Sequence, residues 1–152
     1  TELALRDGQQ SLIATRMRLS DMPPILSKLD NIGFSSLEMG GGARSDCCLR
    51  FLNQDPWERL KVIKSNVTMT QLQMLLRGKN LVGYKKYDDT VIDLFIKKSS
   101  ENGIDIFRIF DALNDINNIV HSIECANKYK SRQLSAVSFQ QMQIRDCVFT
   151  DG

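Results

Sequence analysis

Four clusters of polar residues in this 152-residue chain carry the chemistry to hold a small anion. They are Arg6-Asp7 with Gln10; Glu38, Gly40-Gly41-Gly42 and Asp46; Arg77, Asn80 and Tyr84; and Arg108, Asp111 and Asn114. A guanidinium grips a carboxylate through two parallel hydrogen bonds, and an aspartate offers a hard cation a charged oxygen. Opposed carboxylates and guanidiniums on one rim would therefore hold a small anionic molecule, with or without a divalent metal. Each position also has a plainer reading. Asp111 can cap a following helix, and Gly40 to Gly42 can be a flexible turn. Glu38 and Arg108 can be a structural ion pair or substrate contacts. His121, placed within a helical stripe, reads as a packing or solvated residue. Cys47-Cys48 stand where a helical pattern begins. The shared placement of the clusters is what gives them weight.

That placement comes from the elements between them. Short apolar runs recur near residues 2–5, 34–39, 71–76, 104–110 and 134–139. Their length suits strands buried on both faces of a sheet. Helical stripes alternate with them: Met22, Ile25, Leu26, Leu29 and Ile32; Trp57, Leu60 and Ile63; Val91, Leu94 and Phe95; Ile116, Ile119, Val120, Ile123 and Ala126. Asp55-Pro56 reads as an N-cap with proline at the first helical position, and Ser20-Asp21, Asp88-Asp89 and Asn114-Asp115 as further caps. Gly33 and Gly103 sit where helices must stop. Strand, loop, helix and glycine turn repeat as a βαβ series, which predicts a parallel α/β sheet with outer helices. In such folds functional groups collect where strands run out at their C-terminal ends, and there the four clusters fall. No GxGxxG follows the first strand, where residues 6–20 read as a long loop, and the glycine triplet lacks a following Lys-Ser/Thr. A closed (β/α)8 TIM barrel takes roughly 250 residues and eight units. The expectation is the first four to five units of one.

Composition removes other classes. The chain is 42% hydrophobic and 25% charged, with 20 basic against 18 acidic residues and a net charge of +2. That balance gives no electrostatic case for nucleic acid, and no apolar run is long enough for direct membrane insertion. Cys47, Cys48, Cys125 and Cys147 show no CxxC spacing, and read as reduced thiols of a cytoplasmic protein.

The motifs are more specific than the composition. LRDGQQSL at residues 5–12, followed by ATRMR at 14–18, resembles the opening of biotin-dependent carboxyltransferase domains. These are found in the oxaloacetate decarboxylase α subunit, pyruvate carboxylase and transcarboxylase. DPWERL at 55–60, LQMLLRGKNLVGY at 72–84 and ENGIDIFRIFDALND at 101–115 resemble the same family. The likeness runs from about residue 1 to 125 and fades after Lys130. It implies that residues 1–152 are the N-terminal half of a carboxyltransferase TIM barrel of the HMG-CoA lyase-like kind, apparently truncated.

By that resemblance Asp7 is a ligand of a divalent metal (zinc, cobalt or manganese). Arg6, Gln10 and Arg77 hold pyruvate or oxaloacetate, and Asp46 and Tyr84 act beside the reacting carbonyl. The implied reaction is carboxyl transfer between biotin and the methyl carbon of pyruvate, run as oxaloacetate decarboxylation or pyruvate carboxylation. Biotin would come from another domain or subunit, because the chain has no Met-Lys-Met attachment motif, and the complete protein would be a homo-oligomer. Two departures stand out: Gly40 replaces the family's tryptophan, and Ser45 stands near the position of a bulky aromatic. The family's other metal ligands, a carbamylated lysine and an HxH pair, belong to later strands. The competing reading is a truncated, non-catalytic copy that acts at most as an interaction module.

Overall fold

The computed structural model describes residues 1–129 of the chain. The strand expected at 134–139 and the divergent stretch after Lys130 lie outside them. Within them stands a parallel sheet of three strands in the order β1 (Ser36–Gly40), β2 (Gln71–Leu76) and β3 (Ile106–Ile109). Six helices accompany it: α1 (Gln9–Ile13), α2 (Pro23–Asn31), α3 (Gly42–Arg50), α4 (Pro56–Asn66), α5 (Asp89–Glu101) and α6 (Val120–Tyr129).

The expected βαβ rhythm is present from β1 onward, and its first beat is reduced. Residues 2–5 do not form a full strand. Glu2 makes a single parallel bridge to Leu37, and the backbone then turns through a wide helical turn at Ala4–Gly8 into α1. The expected loop over 6–20 is thus partly helical.

The local chemistry explains the helix starts. Asp55 accepts the backbone N–H of Trp57 ahead of Pro56, and Asp88 accepts that of Thr90, so both cap as expected. Asp115 caps a short 3₁₀ turn at Ile116–Asn118 that leads into α6. Asp21 does not cap α2: its carboxylate binds the backbone and guanidinium of Arg18, and α2 starts without a side-chain cap. Gly33 and Gly103 adopt positive φ, 86° and 109°, after α2 and α5, the conformation that stops a helix at least cost. Cys47 and Cys48 lie in the middle of α3, which begins at Gly42.

The strands differ from the expected pattern in one informative way. Leu37, Leu72, Met74, Leu76, Phe107 and Ile109 belong to one core with Leu26, Leu60, Ile63, Ile92 and Ile96 of the helices. The alternate residues are Ser36 and Glu38 on β1, Gln73 on β2 and Arg108 on β3. Alternation with period two divides the sheet into an apolar face toward the helices and a buried polar face opposite. At the opposite pole from the candidate site, carboxylates tie strand entries down. Asp30 accepts backbone N–H groups of Thr68, Met69 and Thr70 ahead of β2, and Asp105 accepts that of Leu72.

Candidate functional site

Glu38 is the hub of the polar face. It is fully buried on β1 and is gripped from three directions. Arg108 on β3 donates twice, Nε to Oε2 at 2.7 Å and Nη2 to Oε1 at 2.8 Å. Arg6 Nε donates to Oε1 at 2.5 Å, and Gln73 Nε2 donates to Oε2 at 2.6 Å. Adjacent strands lie about 4.8 Å apart, so β1 and β3 are separated by two such steps. A side chain of arginine's length can cross β2 to make that bidentate contact. Burial alone would push the Glu38 carboxyl up. The hydrogen bonds from Arg108 and Gln73 and the charges of Arg108 and Arg6 outweigh it and hold the group below its ordinary value. Ser36 Oγ lies 3.3 Å from Gln73 Oε1 and 2.8 Å from Thr1 Oγ1, which extends the network down the sheet.

Glu38 fixes Arg6, and Arg6 in turn holds Asp7 through Nη1 at 2.9 Å. The Asp7 carboxylate is half exposed, so it faces solvent beyond the strand ends. Two close approaches fix the surrounding loops. A Cβ on Gly41 would touch the Arg6 stem and Leu75, and one on Gly42 would lie 2.9 Å from the Val82 carbonyl oxygen. The first turn of α3 therefore rests on the loop after β2. That loop begins at Arg77 and turns through Gly78 at φ +45°, where a Cβ would collide with the Asn118 carbonyl oxygen. Arg77 stands 5.9 Å from the ring centroid of Tyr84, which is exposed.

The expected site residues thus divide into linked sets. Arg6 and Asp7 join the Glu38–Arg108 network, and Arg77 pairs with Tyr84. Gln10 is exposed on α1. Asp46 lies on α3 and makes an i,i+4 ion pair with Arg50 at 2.7 Å. Glu38 and Arg108 form the ion pair, the first of their two readings. Asp111 accepts backbone N–H groups of Leu113 and Asp115 and the Asn118 amide, so it shapes the loop after β3 instead of capping a helix. His121 is the second residue of α6 and its Nε2 lies 3.5 Å from Cys125 Sγ. The Cys48 thiol is pushed up by burial against the nearby Arg59 and Arg44 charges, which leaves it a packing residue.

Sequence reasoning overlooked Gln73 and Ser36. The signal was the strict alternation in SLEM and QLQM, which marks a strand with one polar face. For a metal, the described residues bring together no group of three or more His, Cys, Asp or Glu side chains. Asp7 could supply one oxygen ligand, and by themselves these residues do not make a metal centre.

Comparison with known proteins tests the resemblance drawn from the motifs. No family model matches the chain. A pyruvate carboxylase subunit of Methanocaldococcus jannaschii is 54% identical over 138 residues, 91% of this chain and 24% of that protein. Over its matched length, the chain is homologous to subunits of pyruvate carboxylase and methylmalonyl-CoA carboxyltransferase. The methylmalonyl-CoA carboxyltransferase 5S subunit of Propionibacterium freudenreichii is 52% identical over 84% of this chain and 25% of its own length. Among solved structures, the carboxyl transferase domain of Rhizobium etli pyruvate carboxylase with oxamate and biotin superimposes with a TM-score of 0.83. It is 41% identical, and the match covers 90% of this chain and 23% of that one. The carboxyltransferase resemblance drawn from the motifs is borne out. The chain spans about a quarter of the length of these relatives. The described parallel sheet fits a carboxyltransferase domain, and closure into a barrel is not seen within residues 1–129. Among the described residues no helix is long and apolar enough to cross a membrane.

Proposed function

We propose that this chain supplies the first βα units of a TIM-barrel carboxyltransferase that moves a carboxyl group between biotin and pyruvate or oxaloacetate. The observation that carries the reading is the rim beyond the strand ends. There Glu38 locks Arg6 beside the half-exposed Asp7, and Arg77 stands beside Tyr84 with no ion pair among the described residues. Arg77 has the geometry of a carboxylate anchor on a loop that Gly78 pins in place. Arg6, with Gln10, adds donors toward the reacting oxygen, and such fixed donors lower the cost of an enolate. Asp46 and Tyr84 flank the reacting carbonyl in this reading, and Tyr84 closes the substrate's outer side.

Asp7 is the proposed oxygen ligand of the family's divalent metal. The remaining ligands would come from outside the described residues. Biotin arrives on a carrier domain or subunit, and the reading requires the rest of the barrel.

The test is Arg77→Ala in the natural chain, assayed for biotin-dependent oxaloacetate decarboxylation. Loss of a charged anchor of this kind costs about 2–5 kcal/mol. The expected outcome is a fall in kcat/KM of that size with the melting temperature unchanged. Unaltered turnover would remove Arg77 from the site. Absence of any biotin-dependent turnover in the natural chain would favour the non-catalytic interaction module.

A further inference from the structure

On the helix-facing side of the sheet, away from Glu38, lies a cavity of about 190 Å³ between β1, β2, α3 and α4. The β1–β2 pairing is irregular between Glu38 and Gly40, and Gly40 lines this space, where Met74 packs so close that a Cβ would lie 3.2 Å from its Cε. Ser45 lines the same space. Most of the wall is apolar, including Trp57, Leu60, Met74, Val82 and Phe95.

Two arginines interrupt that wall, Arg44 of α3 and Arg59 of α4. They are only 4% and 1% exposed. Arg44 reaches the Leu5 carbonyl oxygen and Met22 Sδ, and Arg59 Nη2 reaches the Met17 carbonyl oxygen and Gln54 Oε1. Among the described residues neither makes an ion pair. Arg44 Nε and both Nε and Nη1 of Arg59 have no hydrogen-bond partner there. Burial, reinforced by the charge of Arg59, pulls Arg44 down to about 9. Two unpaired buried cations sharing one cavity are costly unless an anion compensates them. The volume far exceeds the ~10–15 Å³ that one water needs.

We propose that this cavity is a binding site for a small carboxylate with an apolar body, its carboxylate between Arg44 and Arg59 and its body against Trp57, Leu60 and Phe95. The charge requirement comes from the two guanidiniums, and the apolar body from the rest of the wall. The site is separate from the rim and independent of the carboxyl-transfer reading.

The experiment is calorimetric and thermal-shift titration of the natural chain with sodium benzoate, against benzamide, acetate and inorganic phosphate. Benzoate is expected to bind saturably and raise the melting temperature, while benzamide does neither and acetate and phosphate bind more weakly. Arg44→Met should weaken benzoate roughly thirtyfold or more, the equivalent of losing one buried charge partner. Ser45→Leu keeps both arginines, fills the cavity and should abolish binding, so the proposal stays testable if Arg44→Met fails to fold. Arg77→Ala should leave benzoate binding intact. The proposal is overturned if the parent shows no saturable response. It is equally overturned if phosphate matches benzoate, if Ser45→Leu binds as the parent does, or if Arg77→Ala removes the response.

Discussion

Replacing Glu38 by glutamine isolates the charge of the hub while keeping its shape. The glutamine amide oxygen can still accept two hydrogen bonds, but its NH2 group meets two donors, Arg108 with either Gln73 or Arg6, where the other carboxylate oxygen stood. Arg108 then loses its counter-charge, and Arg6 keeps only the half-exposed Asp7. Breaking a buried ion pair by removing one partner costs about 3–5 kcal/mol. Arg6 is 12% exposed and Arg108 32%, so water recovers part of the loss, chiefly for Arg108. The expected destabilisation is therefore near the lower end, about 3 kcal/mol at neutral pH, a large share of the ~5–15 kcal/mol that a domain has.

The same substitution has a pH signature. The folded Glu38 carboxyl sits below its ordinary value of 4.5. Its stabilisation is complete above that value and disappears as pH falls through the lower folded value. Urea unfolding of the natural chain and of Glu38→Gln should differ most above about pH 5, and the gap should close progressively below 4.5. Because Arg6 loses its anchor, the proposed carboxyl-transfer site should suffer too, with KM for pyruvate rising together with the loss of stability. A gap under about 1 kcal/mol at neutral pH, the value of an exposed pair, would refute the hub. So would a gap that stays constant into acid.

Two further substitutions probe the frame around the site. Asp30→Asn should cost about 1–3 kcal/mol, because the buried carboxylate accepts three consecutive backbone N–H groups. Burial pushes Asp30 up, but those N–H groups prevail and hold it at about 2, against an ordinary 3.8. Its contribution is thus intact above 3.8 and lost as pH falls toward 2, so the substitution should flatten that stretch of an acid-unfolding curve followed by circular dichroism. Gly78→Ala should destabilise by about 1–3 kcal/mol or more through the left-handed backbone, and the clash with the Asn118 carbonyl should displace the loop of Arg77. An unchanged KM for oxaloacetate would show that this loop does not set the anchor.

Much of the frame was legible because punctuation and periodicity agreed. Asp55-Pro56, Asp88 and the stopping glycines Gly33 and Gly103 act through backbone groups within a few residues, so sequence order contains the whole interaction. The first strand failed for the opposite reason. Residues 2–5 are apolar enough for a strand, yet after one bridge at Glu2 the backbone turns to bring Arg6 over Glu38. A contact 32 residues away overrode local preference. Asp111 and Asp46 were visible as chemistry-bearing residues, but their present partners, a loop backbone and Arg50, depend on geometry that motif spacing does not contain.

The deepest gap concerns charge placed on the two sides of one sheet. Read as apolar runs, the strands conceal that Glu38 and Gln73 point one way and Leu37, Leu72 and Met74 the other. Yet that alternation separates two environments with opposite solutions for buried arginine. On the polar face Arg6 and Arg108 converge on Glu38, Asp7 supplies the second carboxylate, and the result is a neutralised, rigid base for the rim. On the helix face Arg44 and Arg59 converge on a cavity and receive two backbone carbonyls, a thioether and one amide oxygen, none of which carries a full negative charge. The first arrangement is complete within the described residues, and the second leaves a positive charge to be met. Arginines equally buried in one core thus imply different things: the paired ones support a site, and the unpaired ones form one.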